Sequence, residues 1–164
     1  MSTLILIRGN SGSGKTVVAN KLHKILGSCT LLISQDYVRR QMLMVKDKPN
    51  NLAIGLIEQL IQYGNKHCEF VIIEGILAEN KYGNMLRRQL NTAKTTLVYY
   101  YDLPLEETLN RHNTKDNTDF GESELRSWYT AHDYLGIRNE KTINKEMTIE
   151  ETLDTILKDL KLQI

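Results

Sequence analysis

The chain is poor in the features that would decide its class at once. Cysteine is scarce: Cys29 and Cys68 are the only two. They lack metal-ligand spacing and each lies beside an expected strand, so they read as reduced, partly buried thiols rather than a disulfide scaffold or zinc site. The four histidines, His23, His67, His112 and His132, do not cluster as ligands either. Proline occurs twice, as Pro49 in a polar loop and Pro104 at the start of a helical pattern. Neither sign of charge prevails: 21 Lys and Arg face 20 Asp and Glu, a net charge of +1. No global field therefore recruits nucleic acid or an anionic membrane surface. No apolar stretch approaches the roughly 20 residues that span a bilayer. Leu4 to Ile7 is too short for the apolar core of a secretory signal, and no small-residue cleavage site follows it. A cytoplasmic location is the default expectation. Repeats, low-complexity tracts and linkers are absent, and 164 residues suit one domain, 1–164, with room for a core. Nothing in the chain speaks to oligomeric state.

What is present is specific. Gly9, Asn10, Ser11, Gly12, Ser13, Gly14, Lys15 and Thr16 spell a complete G-x-x-x-x-G-K-[ST] phosphate-binding loop. The short apolar run Leu4 to Ile7 before it suits a buried strand, and Val17 to Leu26 after it has apolar residues at helical spacing. Glycines let the backbone turn tightly and bring its N–H groups to phosphate oxygens. The helix behind them directs its positive end at the same anion. Lys15 is placed to reach the β- and γ-phosphates of ATP, and the Thr16 hydroxyl to ligate Mg²⁺, a cation that prefers hard oxygens.

The remaining pattern alternates. Strands are expected at Thr30–Ile33, Phe70–Ile73, Thr96–Tyr101 and, short and last, Lys141–Asn144. A short helix is expected to begin within Ser34–Arg40, and longer ones at Leu52–Tyr63, Lys81–Leu90, Pro104–Asn113, Glu122–Tyr134 and Ile149–Leu160. Gly64-Asn65 reads as a left-handed cap ending the second of these. Alternating strands and helices predict an α/β fold with a parallel sheet covered on both faces, its site at the carboxyl ends of the strands. Gly9, Asp36, Glu74 and Asp102 stand at four such ends.

In element order, and in the segments Ser34-Gln35-Asp36-Tyr37-Val38-Arg39-Arg40, Val71-Ile72-Ile73-Glu74-Gly75, Tyr101 to His112, and Phe120-Gly121-Glu122 leading into Arg126 and Trp128-Tyr129, the chain resembles the small P-loop kinases. That group includes zeta-toxin-like and chloramphenicol-phosphotransferase-like proteins beside shikimate and nucleoside-monophosphate kinases. The resemblance implies a three-layer P-loop fold with a five-stranded parallel sheet of order 2-3-1-4-5 and a small lid at about residues 113–126. It implies ATP and Mg²⁺ as cofactors and a hydroxyl of a small molecule as acceptor.

The resemblance also assigns roles. Asp36 would face the acceptor hydroxyl and take its proton; the alternative is a helix N-cap, for which Asp is favoured. Arg39 and Arg40 follow on the same segment, to clamp an acidic or phosphorylated acceptor or simply to be solvated. Glu74 would hold Mg²⁺ through water or accept from the substrate. Arg111 and Lys115, four apart, form the basic pair of a lid, Arg111 against the adenine and Lys115 at the transferring phosphate. Arg126 is a further candidate for phosphate neutralisation, against a solvated helix face. Trp128 and Tyr129 line the acceptor pocket or belong to the core. A different class is a nucleotide-binding regulatory or switch protein without acceptor-dependent turnover. Against it, no Asn-Lys-x-Asp segment of a guanine-specific switch follows a strand. Motor-type ATPases usually have an extra strand between the phosphate-loop strand and the acidic strand.

Overall fold

The computed structural model describes residues 2–115 and 119–161. Five strands form one parallel sheet: β1 (Thr3–Gly9), β2 (Thr30–Ser34), β3 (Phe70–Gly75), β4 (Thr95–Tyr101) and β5 (Glu140–Ile143), in the order β2-β3-β1-β4-β5. The sheet order is the one expected. Helices α1 (Lys15–Leu26), α2 (Leu52–His67), α3 (Glu79–Thr92), α4 (Leu105–Asn113), α5 (Glu122–Trp128) and α6 (Ile149–Lys161) connect or close the strands.

Alternation along the strands makes two cores. Leu4 and Leu6 of β1, with Val71 and Ile73 of β3, bury against Ala53, Ile57 and Ile61 of α2 and Met85 and Leu86 of α3. Ile5 and Ile7, with Ile72, Tyr99 and Tyr101, bury on the other face against Val18 and Leu22 of α1 and Ile156 and Leu160 of α6. A strand buried on both faces must be apolar at every position, which is why β1 reads as a continuous run. Among the described residues no helix is long and apolar enough to cross a membrane.

Three local expectations are corrected. Gly64 does not end α2, which continues to His67. A Cβ there would meet Val71 Cγ2 at 2.5 Å and Leu31 Cδ2 at 2.9 Å, so this glycine permits close approach of helix to sheet. Gly64→Ala should therefore lower the unfolding free energy by about 1–2 kcal/mol in denaturant titration, although alanine is the better helix former. The helix expected over Glu122–Tyr134 stops at Trp128. Tyr129 is already extended, and the following segment is held by side chains from the phosphate loop. Cys29 is exposed rather than partly buried, in a left-handed turn at φ 61°, while Cys68 is half-buried; both are free thiols.

Parallel register sets the carboxyl ends of β2, β3 and β1 side by side, with Ser34 opposite Glu74 and Ile7 opposite Glu74. The segment after β2 forms a π-helix, Tyr37–Met42, with Leu43 N donating to Val38 O at 3.1 Å. Such wide turns are rare and recur at functional sites.

Candidate active site

The loop between β1 and α1 has the conformation its glycines predict. Gly12 and Gly14 sit at φ 80° and 97°, and a Cβ on Gly12 would strike the Thr108 carbonyl at 2.7 Å. Lys15 opens α1 but is buried, its Nζ donating to the Asn10 carbonyl at 3.1 Å. Burial pushes the ammonium below its ordinary range, while the Glu74 and Asp36 carboxylates hold it up and Lys115 opposes them. The Ser13 hydroxyl is buried without a hydrogen-bond partner among the described residues. An orphaned donor beside a buried cation and a helix N-terminus is a cradle suited to phosphate.

Thr16 Oγ1 donates to Glu74 Oε2 at 3.0 Å. Glu74 is buried at the end of β3. A hydroxyl and a carboxylate within one hydrogen bond of each other are the hard-oxygen donor set Mg²⁺ takes, with water completing its shell. The donors fit that ion.

Arg111 lies on α4 against the loop. Its Nη1 donates to the Ser13 carbonyl at 2.7 Å, its Nε to Glu107 Oε1 at 2.8 Å, and its Nη2 reaches the Lys145 carbonyl at 3.4 Å. It thus bridges the phosphate loop and the segment between β5 and α6. Lys115 is exposed, near enough to Lys15 to repel it. Of the expected lid, residues 116–118 lie outside the described residues. On either side of them, Phe120 stacks on His112 with centroids 5.1 Å apart and meets Trp128 edge-on at 5.0 Å.

A cavity of about 660 Å³ opens beside the loop. Its lining includes Gly9, Asn10 and Ser11 of the loop, Asp36, Arg39 and Arg40 after β2, and Phe120, Ser127, Trp128 and Thr130. Ile76, Ala78, Tyr100 and Asp133, with Lys46, Asp47, Asn80, Lys81 and Asp119, complete the lining. Asp36 makes no cap hydrogen bond; its Oδ1 accepts from Arg39 Nη2 at 3.3 Å and its side chain is largely exposed. The N-cap alternative is thereby overturned. Arg39 also donates to the Val45 carbonyl at 3.1 Å, and Arg40 reaches Asp119 at 3.3 Å.

Two candidates stand apart from this cluster. Arg126 pairs with Glu122 one turn away on exposed α5, at 2.7 Å, and does not line the cavity. Tyr129 donates to the Leu103 carbonyl at 2.7 Å and is likewise not in the lining, whereas Trp128 is. Asn10, expected at the nucleotide, directs its side chain elsewhere: Nδ2 donates to the Thr130 carbonyl at 2.8 Å and Oδ1 accepts from Thr130 N at 2.9 Å.

Sequence reasoning passed over Arg8. Its side chain is wholly buried near the carboxyl end of β1. Nε and Nη2 donate to the Leu77 carbonyl at 3.1 and 3.0 Å, Nη1 to the Asp133 carbonyl at 2.9 Å, and the fork pairs with Asp133 and Glu140 carboxylates at 3.0 and 3.3 Å. Burial lowers its pKa from the ordinary arginine value, against the opposing pull of Asp133 and Glu140. The available signal was a charged residue at the end of an otherwise apolar buried strand.

Residues 4–133 match the family model AAA_33, described as an AAA domain. No curated protein matches the chain. Among solved structures, the chain is similar to a gluconokinase from Sinorhizobium meliloti 1021 at 16% identity and TM-score 0.70, covering 98% of this chain and 97% of that one. It is similar to the Mycobacterium tuberculosis APS kinase in complex with AMPPNP and APS at 17% identity and TM-score 0.68, covering 98% of each. For the Acinetobacter baumannii shikimate kinase in complex with shikimate the values are 19% and 0.62, covering 99% of this chain and 93% of that one. At these identities the likeness is one of fold.

Proposed function

Because the chain belongs to the AAA_33 family of AAA domains, we propose that it is an ATP-dependent phosphotransferase that moves the γ-phosphoryl group to a hydroxyl of a small molecule. The observation that carries this reading is the cavity shared by the phosphate loop and Asp36. A hydroxyl compound held there has the loop on one side and a carboxylate on the other. The APS kinase it resembles in fold was solved with AMPPNP, which supports a nucleotide in the loop. β1 pairs directly with β3, without the intervening strand of motor-type ATPases.

Phosphoryl transfer asks mainly for alignment and charge neutralisation. Lys15 and the loop N–H groups hold the phosphates. Thr16 and Glu74 would hold Mg²⁺, which would supply positive charge to offset that of the phosphates. Asp36 orients the acceptor hydroxyl and receives its proton, with Arg39 fixing the carboxylate. Arg111 seats the nucleotide beside the loop, and Lys115 brings a second cation toward the transferring group. The resemblance to zeta-toxin-like and chloramphenicol-phosphotransferase-like proteins places nucleotide sugars and chloramphenicol among the acceptors to be tried.

The test is transfer of labelled γ-phosphate, with Mg²⁺, to a panel of nucleotide sugars, nucleosides, aminoglycosides, chloramphenicol, sugars and hydroxy acids. Asp36→Asn is expected to lower acceptor-dependent transfer by about 10²–10⁴-fold while ATP affinity stays unchanged. Full transfer by Asp36→Asn would remove Asp36 from the mechanism. ATP binding with no acceptor-dependent transfer would favour a nucleotide-binding regulator instead.

A further inference from the structure

The phosphate loop is clamped to the far wall of the acceptor cavity by side chains that no phosphate chemistry requires. Arg8, immediately before Gly9, holds the Asp133 carbonyl and carboxylate. Asn10 holds both backbone groups of Thr130. The segment between these anchors has no helix or strand of its own and is held by the loop on one side and by Tyr100 and Asp102 of the β4 end on the other.

Asp133 is the residue this clamp aims. Its Oδ2 accepts from Arg8 Nη2 and from Glu79 N, each at 3.0 Å. Its backbone N–H donates to the Tyr100 hydroxyl at 3.0 Å. Its Oδ1 has no hydrogen-bond partner among the described residues, and the side chain lines the cavity with about a fifth of its surface open. Behind it the network closes on itself. The second Glu140 oxygen accepts from Leu135 N at 2.8 Å and Gly136 N at 3.2 Å, and the Leu77 N–H donates to Gln35 Oε1 at 2.8 Å. Leu77 is held at φ 44°, a left-handed conformation rare for a bulky residue and retained where surroundings enforce it. Asp133 is thus a cavity-lining carboxylate with one oxygen held by two donors and the other without a partner among the described residues.

We propose that Asp133 is a second acceptor-binding carboxylate, taking a hydrogen bond on Oδ1 from a hydroxyl other than the one phosphorylated, with Arg8 as the positioning residue behind it. The acceptor class is then a polyhydroxy compound, with one hydroxyl at Asp36 and another at Asp133. This rests on the phosphotransferase reading only for the identity of the cavity as the acceptor site.

Trp128, the single tryptophan, lines the same cavity and reports binding without transfer. With AMPPNP and Mg²⁺ present, its fluorescence is followed as glucose, ribose and myo-inositol are titrated against 2-deoxyglucose, 2-deoxyribose and a monodeoxyinositol. At least one polyol is expected to bind about 10–100-fold more tightly than its matched analogue, the range for one hydrogen bond to a charged group. Asp133→Asn is expected to erase that difference, and Arg8→Lys, which keeps charge but loses the fork, to reduce it. Asp133→Asn should not alter AMPPNP affinity. Should Asp133→Asn fail to fold, Arg8→Lys decides instead: a polyol-to-analogue ratio that it leaves undiminished overturns the proposal. Equal binding of polyols and analogues, no response to any polyol, or a difference that survives in folded Asp133→Asn overturns the proposal. Polyol binding that depends on Asp133 without phosphate transfer to any acceptor would instead count against the phosphotransferase reading alone.

Discussion

Lys15→Ala is expected to lower phosphoryl transfer by about a thousandfold or more, the scale of losing a preorganised charge from a water-excluded site. The ammonium is buried and, among the described residues, donates to a single protein acceptor, the Asn10 carbonyl at 3.1 Å, leaving its other protons for phosphate oxygens. Burial lowers its pKa while Glu74 and Asp36 oppose that, and in such a desolvated site its charge acts on phosphate with little screening. Single-turnover transfer with saturating acceptor measures the effect. Thermal unfolding should be unchanged or slightly lowered, because alanine removes one buried charge but leaves the buried Glu74 carboxylate without that cation. Transfer within tenfold of wild type would mean that the loop backbone alone neutralises the phosphates.

Arg8→Met should produce the largest loss of stability, about 3–5 kcal/mol, because it leaves two carboxylates without their cation. Asp133 retains partial exposure, but the Glu140 side chain is only 5% exposed and depends on Arg8 and two backbone N–H groups. In the intact protein, burial already pushes the Glu140 carboxyl above its ordinary value and Arg8 pulls it back. Without Arg8 the folded-state pKa rises further. The folded state then holds a proton that the unfolded state has released, so stability falls as pH rises through that interval. The deficit of Arg8→Met relative to wild type is therefore expected to shrink as pH is lowered from 8 toward 5. Urea denaturation at both values tests the sign; a deficit independent of pH would locate the cost in packing rather than charge.

How far each part was legible follows from the range of the forces behind it. The strands and helices recur where their periodicities lie, and Thr95–Tyr101, Leu105–Asn113 and Ile149–Lys161 fall within a residue or so of expectation. Two-residue and 3.6-residue periods are written locally, and burial on a sheet face reinforces them. The helix expected through Tyr134 fails for the opposite reason. Its local sequence tolerates a helix, but Asn10, 120 residues away, takes the Thr130 N–H and C=O for itself. Gly64 is misread in the same way: glycine marks both helix ends and close packing, and only the Val71 and Leu31 side chains distinguish them.

Within the candidate site the same division holds. The glycines, Lys15 and Thr16 are fixed by chain spacing alone, because one loop of eight residues supplies them. Parallel strand order then brings Glu74 to Thr16 and Asp36 to the same rim. Arg126 shows the limit: its nearest carboxylate is Glu122, one helical turn back, and that local pair engages it. The loop, the order of elements and the carboxylates at the strand ends were determined by the sequence itself, since each rests on backbone preference or period within a few residues. The acceptor cavity, the pairing of Arg8 with residues 125 and 132 positions away, and the open oxygen of Asp133 were decided only by tertiary structure. Buried hydrogen bonds at that separation are chosen by which groups lose water together once the sheet and its helices have closed.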